Sequence, residues 1–413
     1  MSRYLLPFLV VFALLTGVVC GEDWPCWRGP TRQGISSEKG LPVAWSASEN
    51  IAWKTPISGS GWSSPIICGD RVFVTATSTD GVSCRVISLD RQSGRILWDK
   101  EVFKQKPGPK RDENSYATPT PVTDGELVYA VFAAGGFVAL RYDSSIAWTN
   151  QEHLHKSVHG LGSSPILYND LLIMPFDGSE GAAGFHVAWD KAVLLALDKK
   201  TGQVRWQGKR GLSRHAHISA NVWHEGDLTQ IISGAGDVMQ GFEPDSGKLV
   251  WTVKCPGEGA VPSIVIAGGM AFMASGSGHT IYAVRPGGQG DVTETNVVWR
   301  QTQNAPFVPS FVYVDGALYT IHDDGMAQRI DPKSGKVVWK EHLHGRFWPS
   351  LFAADGKIYA TSNQGETTVF EAGPKYKLVA HNVLGETCMA SIAAADGHLF
   401  IRSAEKLYCV GKP

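Results

Sequence analysis

From about residue 50 onward, short apolar runs alternate with clusters of Gly, Asp, Asn and Ser, which is the pattern of strands punctuated by turns. The clearest unit is Gln328–Lys340, Q-R-I-D-P-K-S-G-K-V-V-W-K. Ile330 ends one strand, Asp331 opens a turn, Ser334 and Gly335 complete it, and a second short strand closes on Trp339. Gly supplies the positive φ of a tight reversal, and Asp can hydrogen-bond the backbone two residues on. The residues after the turn favour strands, and Trp covers a large apolar area at their end. The unit predicts a hairpin joining the two outer strands of a small sheet. Near copies stand at Ser88–Asp99, Ala196–Gln207 and Gly241–Thr252.

The Trp position runs through the chain as Trp53, Trp98, Trp148, Trp206, Trp251, Trp299 and Trp339, with Ala380 in its place once. Successive spacings are 45, 50, 58, 45, 48, 40 and 41 residues, which suits a four-stranded propeller blade of about 40–50 residues. A second column carries a hydroxyl in every unit: Ser64, Thr120, Ser164, Ser219, Ser263, Ser310, Ser350 and Ser391. A third holds hairpin turns such as Asn169-Asp170, Asp315-Gly316, Asp355-Gly356 and Asp396-Gly397. The last unit stops after three strands, and its missing outer strand is available in Asn50–Ile57. The predicted fold is all-β: an eight-bladed β-propeller of four-stranded antiparallel blades, closed by an N-terminal strand in the last blade.

Residues 1–21 read as a secretory signal peptide, with Arg3 before the apolar run Leu5–Val19. That run is shorter than the roughly 20 residues of a membrane span. Val19 is a poor fit to the small residue that lipidation of Cys20 wants. The expectation is an exported protein, periplasmic or extracellular, with no transmembrane anchor in the mature chain. Residues 22–49 are expected to form an arm lying over the ring, and residues 50–413 the propeller. Glu101–Tyr116 reads as a polar crossover between the first two blades, Asp177–Lys191 as an insertion within the third, and Pro286–Thr295 as a Gly-rich spacer without a role.

A net charge of −1 argues against a nucleic-acid surface or a polybasic membrane patch. Six cysteines follow the leader, and their spacing fixes no pairing. No C-x-x-C, H-E-x-x-H, phosphate loop or nucleophile elbow occurs.

The repeat A/L-x-D-x-x-[ST]-G-x-x-x-W resembles that of the PQQ-like propeller superfamily, which includes quinoprotein alcohol dehydrogenases and BamB. The likeness spans essentially the whole mature chain. It is nearest to secreted bacterial PQQ-binding-like β-propeller repeat proteins, through the arm Trp24–Pro30, the blade Asn114–Gly125 and the segment His159–Leu167. The resemblance implies PQQ with calcium as the cofactor to consider, the quinone lying on the ring axis under a vicinal disulfide. This chain has no vicinal cysteines, and no calcium ligand set is recognisable in it. The residues themselves predict neither cofactor nor metal.

In a propeller, the loops between blades share one face with the loops joining second to third strands, and inner-strand starts converge there on the axis. That rim should carry Trp62, Thr118, His159, Arg214, His215, His217, Phe307, Arg346 and Trp348. Aromatic faces there can stack on a ligand, and Arg214 and Arg346 can clamp an anion. The plainer expectation is that Trp62 and Trp348 plug the channel, that the hydroxyls cap strand ends, and that the paired histidines are solvated. The reading that follows is a monomeric, non-catalytic binding or scaffold protein, its partner an unidentified protein or small molecule. The alternatives are a PQQ-dependent oxidoreductase acting on an alcohol or sugar, and a BamB-like envelope assembly partner.

Overall fold

In the computed structural model, residues 23–179 and 186–412 are described. The expected leader, with Cys20, lies outside them. Eight antiparallel sheets follow one another round a ring. Blade 1 is built from Ile66–Cys68, Arg71–Thr77, Ser83–Asp90 and Ile96–Lys104, and blades 2 to 7 repeat this order to Leu378–Val383. Blade 8 takes Ala393–Ala395, His398–Arg402 and Lys406–Val410 from the chain's end and its outer strand, Ile51–Pro56, from near its beginning. The propeller is therefore closed by the N-terminal strand, with Trp53 opposite Cys409.

The two sequence columns turn out to be the joints between blades. Five of the seven outer-strand Trp residues lie against a second-strand aromatic of their own blade, as in Trp53–Phe400, Phe272–Trp299 and Tyr319–Trp339, with ring centroids 5.9, 5.9 and 6.1 Å apart. The indole N–H of the outer-strand Trp then donates to a turn carbonyl of the next blade. Trp53 reaches Arg91 at 2.9 Å, Trp148 reaches Lys199 at 2.9 Å and Trp299 reaches Pro332 at 2.8 Å. The ring also presses on the turn glycine. A Cβ on Gly94 would come within 2.4 Å of Trp53, and one on Gly202 within 2.3 Å of Trp148. The Ser-Gly signature thus satisfies a positive φ of 70° at Gly94 and a flat seat for the neighbour's indole at once.

The two exceptions to the latch follow from the ring's irregularities. Blade 5 lacks the Ser-Gly turn, so Trp251 of blade 4 donates instead to Gln230 of its own sheet at 2.8 Å. The segment expected to be an idle spacer has a role there. Gly290–Asp291 pairs in parallel with Trp251–Thr252 and adds a fifth strand to blade 4. Ala380 of blade 7 would face a turn of blade 8 that does not exist, because the chain's ends meet there. Leu41, Val43 and Trp45 of the N-terminal segment join the same apolar cluster as Ala380. Trp45 also takes the Asn382 side chain as acceptor at 2.8 Å. The crossover expected from Glu101 begins later, since blade 1's outer strand runs to Lys104.

Candidate functional site

The inner strand of each blade has a free edge toward the axis, and its first N–H would lack a partner there. The hydroxyl column supplies one. Ser64 N–H donates to Thr120 Oγ1 at 2.9 Å, Thr120 N–H to Ser164 Oγ at 3.0 Å, and Ser164 N–H to Ser219 Oγ at 2.8 Å. The series continues through Ser263, Ser310, Ser350 and Ser391 at 2.9–3.3 Å. Ser391 N–H then donates to Ser64 Oγ at 3.0 Å, so eight bonds form a closed circle round the axis.

Beneath this circle runs the N-terminal arm. Trp24 exchanges backbone bonds of 2.9 Å with Ile67 of blade 1, and Pro25 accepts from Thr123 of blade 2 at 2.9 Å. Arg32 donates to Asn221 of blade 4 at 3.1 Å, and Gln33 accepts from Ile266 of blade 5 at 3.2 Å. Arg28 is buried, donates to Gln33 O at 2.5 Å and to Phe311 O of blade 6, and has its pKa pulled down to about 9 by burial. Ile35–Ser36 finally pairs in parallel with blade 7. An arm that touches six blades closes the ring from below, and its Trp27 reaches up into the axial space.

Above the circle is a cavity of about 440 Å³. Its floor is Trp27 with the hydroxyls of Ser64, Thr120, Ser164, Ser350 and Ser391. Its walls are Trp62, Trp348, Phe307, Met389, Val261 and Val308, with His159, His217, Thr118 and Asn114 between them. Arg111, Glu113, Glu258 and Asp323 are its charged groups. A second hollow of about 350 Å³ adjoins it, sharing Trp62, Trp348, Glu113 and Met389 and adding Asp112.

Of the expected rim residues, Trp62, Thr118, His159, His217, Phe307 and Trp348 do line the cavity. Trp62 and Trp348 stand in its walls, and the plug is Trp27 of the arm. Arg214 lies behind the wall and offers no clamp. Its guanidinium holds Asp237 through two bonds of 2.7 and 2.5 Å and reaches Glu258 at 3.1 Å. Arg346 is exposed and outside the cavity lining.

The histidines of two loops depart from the solvated expectation, while His342 and His344 are exposed. His215 is 1% exposed, bonds Ser157 at 2.8 Å and packs edge-on against His217 with ring centroids 4.3 Å apart. His159 lies 5.2 Å from His215. Burial, reinforced by the neighbouring imidazoles His155 and His159, pushes His217 down to about 3, and burial takes His155 to about 4. These rings are neutral at neutral pH. Among the described residues, no group of three His, Cys, Asp or Glu is placed to hold a metal ion.

Several lining residues escape the sequence reading. Arg111–Asn114 belong to a crossover whose polarity was legible but whose inward turn was not. Asn114 is drawn inward by its own bonds, donating to His159 O at 2.7 Å and accepting from Ser115 N–H at 2.8 Å. Asp323 follows a second strand directly, on the loop face, so its height on the axis was available to a reader of the repeat. It accepts the Phe307 N–H at 2.7 Å, and burial raises its pKa.

PQQ is a tricarboxylate, and its site must offer cations. Here one lining guanidinium stands against three lining carboxylates. The six cysteines are free. With one guanidinium for the quinone's three carboxylates and, among the described residues, no cluster of three His, Cys, Asp or Glu for the calcium, the lining does not fit the pair.

The family model described as outer membrane protein assembly factor BamB matches residues 31–144, 82–233 and 190–412. Among solved structures, a europium-containing methanol dehydrogenase superposes with TM-score 0.70 at 11% identity, covering 94% of this chain and 98% of its own. Quinohemoprotein alcohol dehydrogenase from Comamonas testosteroni gives 0.69 at 11% identity, with 95% and 81% covered. BamB from Moraxella catarrhalis gives 0.59 at 14%, with 87% and 97% covered. No curated protein sequence matches. At such identities the structural likeness is one of fold, while the family match spans nearly every blade. The chain belongs to the PQQ-like β-propeller family, as its repeat led us to expect.

Proposed function

We propose that this chain is an exported, non-catalytic binding protein that takes a small ligand into the axial cavity. The observation that carries the reading is the cavity itself. It is about 440 Å³, within the usual range of roughly 300–1,000 Å³ for small-molecule sites, and is aromatic in its walls and closed below by the arm. Its polar groups are already tied to the frame, as Asp323 is to Phe307 and Asn114 to His159, which suits holding a ligand more than moving protons. The test is native mass spectrometry of protein purified from its own host, beside the Trp348→Ala variant. A co-purifying small molecule lost in the variant supports the reading. Dye reduction with an alcohol after loading with PQQ and calcium overturns it in favour of the oxidoreductase.

A second reading, a BamB-like assembly partner, is favoured by the family match and by Leu154, Val187 and Leu212. These are 71%, 60% and 70% exposed on three loops of the cavity face. Loss of co-purification with a β-barrel assembly factor on changing all three to Ser is its expected signature, and its absence in the parent protein ends it.

A further inference from the structure

Resting on the reading of the axial cavity as a ligand site, we propose that it selects an organic cation, an ammonium group carried on a small apolar body. Three features point the same way. The first is charge. Arg111 and Glu113 both line the cavity, so their formal charges cancel in its count, and Glu258 is met by Arg214 from behind the wall at 3.1 Å. Arg214 also carries Asp237, and His186 meets Glu258 from the loop side at 2.5 Å, so one guanidinium and one imidazole stand against two carboxylates there. Asp323 is bonded to the backbone N–H of Phe307 and, among the described residues, to no Lys or Arg. A half-enclosed carboxylate to which no Lys or Arg is bonded is stabilised by a cation that comes to it.

The second feature is the wall. Trp62, Trp348, Phe307 and Trp27 present four aromatic side chains to a space that would hold one or two rings or a branched ammonium. The negative faces of such rings attract a cation, the more strongly when water is excluded. The third is the adjoining hollow. It continues between Trp62 and Trp348, shares Glu113 with the cavity and adds Asp112 with no basic residue of its own, so the approach is acidic too. His159 and His217, the remaining ionisable side chains of the lining, are held neutral by burial and do not oppose the cation at neutral pH.

The test is isothermal titration of the full-length mature protein at pH 7.5 with three probes: choline, its uncharged isostere 3,3-dimethyl-1-butanol, and cellobiose. Choline is expected to bind about tenfold tighter than the isostere. Asp323→Asn, which keeps an acceptor for Phe307, is expected to weaken choline about tenfold and leave the isostere unchanged. Glu113→Gln, at an exposed position where folding is not at stake, is expected to weaken choline severalfold. Equal or tighter binding of the isostere or of cellobiose overturns the cation assignment while keeping the cavity as a ligand site. Binding of none of the three by folded protein overturns both.

Discussion

Ser391 and Ser64 lie 327 residues apart in the chain, yet the backbone N–H of one donates to the hydroxyl of the other at 3.0 Å. Of the eight bonds in the axial circle, it is the one that joins the last blade to the first. Removing Ser64 Oγ leaves a buried N–H without a partner, which costs about 1–3 kcal/mol. Ser64→Ala should lower the urea midpoint accordingly, and Ser64→Thr should restore it, since Thr120 already holds the same place in blade 2. Equal stability of the Ala and Thr variants would deny the circle any energetic weight.

The outer strand of blade 8 is the second closure. Deleting Asn50–Ile57 removes the partner of Lys406–Val410, exposes an edge and takes away the indole seated on Gly94. Soluble yield should collapse, and any soluble protein should lack a single cooperative unfolding transition. A truncated protein as stable as its parent refutes the ring's dependence on that strand.

The latch glycines separate two effects that sequence alone confounds. Gly94 and Gly211 have φ of 70° and 75°, so Ala at either carries the left-handed backbone cost of roughly 1 kcal/mol. Only at Gly94 would the new methyl also strike an indole, at 2.4 Å, while the space at Gly211 is open. Gly94→Ala should therefore be the more destabilising by at least 1 kcal/mol in matched thermal melts. Equal losses would reduce the Ser-Gly signature to turn chemistry.

That distinction marks what the sequence could show. The repeat made the strands, the closure and the two columns legible because each blade solves the same packing problem with the same residues. The arm was legible only as a non-repeating stretch, since nothing in Trp24–Gly34 says which of the ring's faces it crosses. The site was half legible. Residues that begin inner strands, Trp62, His217 and Trp348, could be placed by register. Arg214 was placed near the axis too, but Asp237 and Glu258, distant in the chain, claim its guanidinium. Side chains that reach the cavity from loops depend on such local bonds, and periodicity carries no record of them.

The buried histidines make stability depend on pH in a direction that can be worked out. An unfolded histidine titrates near 6.5. In the folded protein burial lowers His155 to about 4 and His217 to about 3, and lowers His215 and His159 as well. A base whose folded pKa is depressed takes up its proton first in the unfolded state. Stability is therefore full above about pH 6.5 and falls as the pH drops toward 4 and 3, by up to about 1.4 kcal/mol per pH unit for His155 and for His217. Urea midpoints at pH 7.5, 6 and 5 should fall steeply for the parent and less steeply for His217→Gln. His344, 85% exposed beside Glu366, serves as the control, and its Gln variant should track the parent. If His217→Gln and His344→Gln show the same slope, the buried imidazoles are not the acid-sensitive element of the cavity wall.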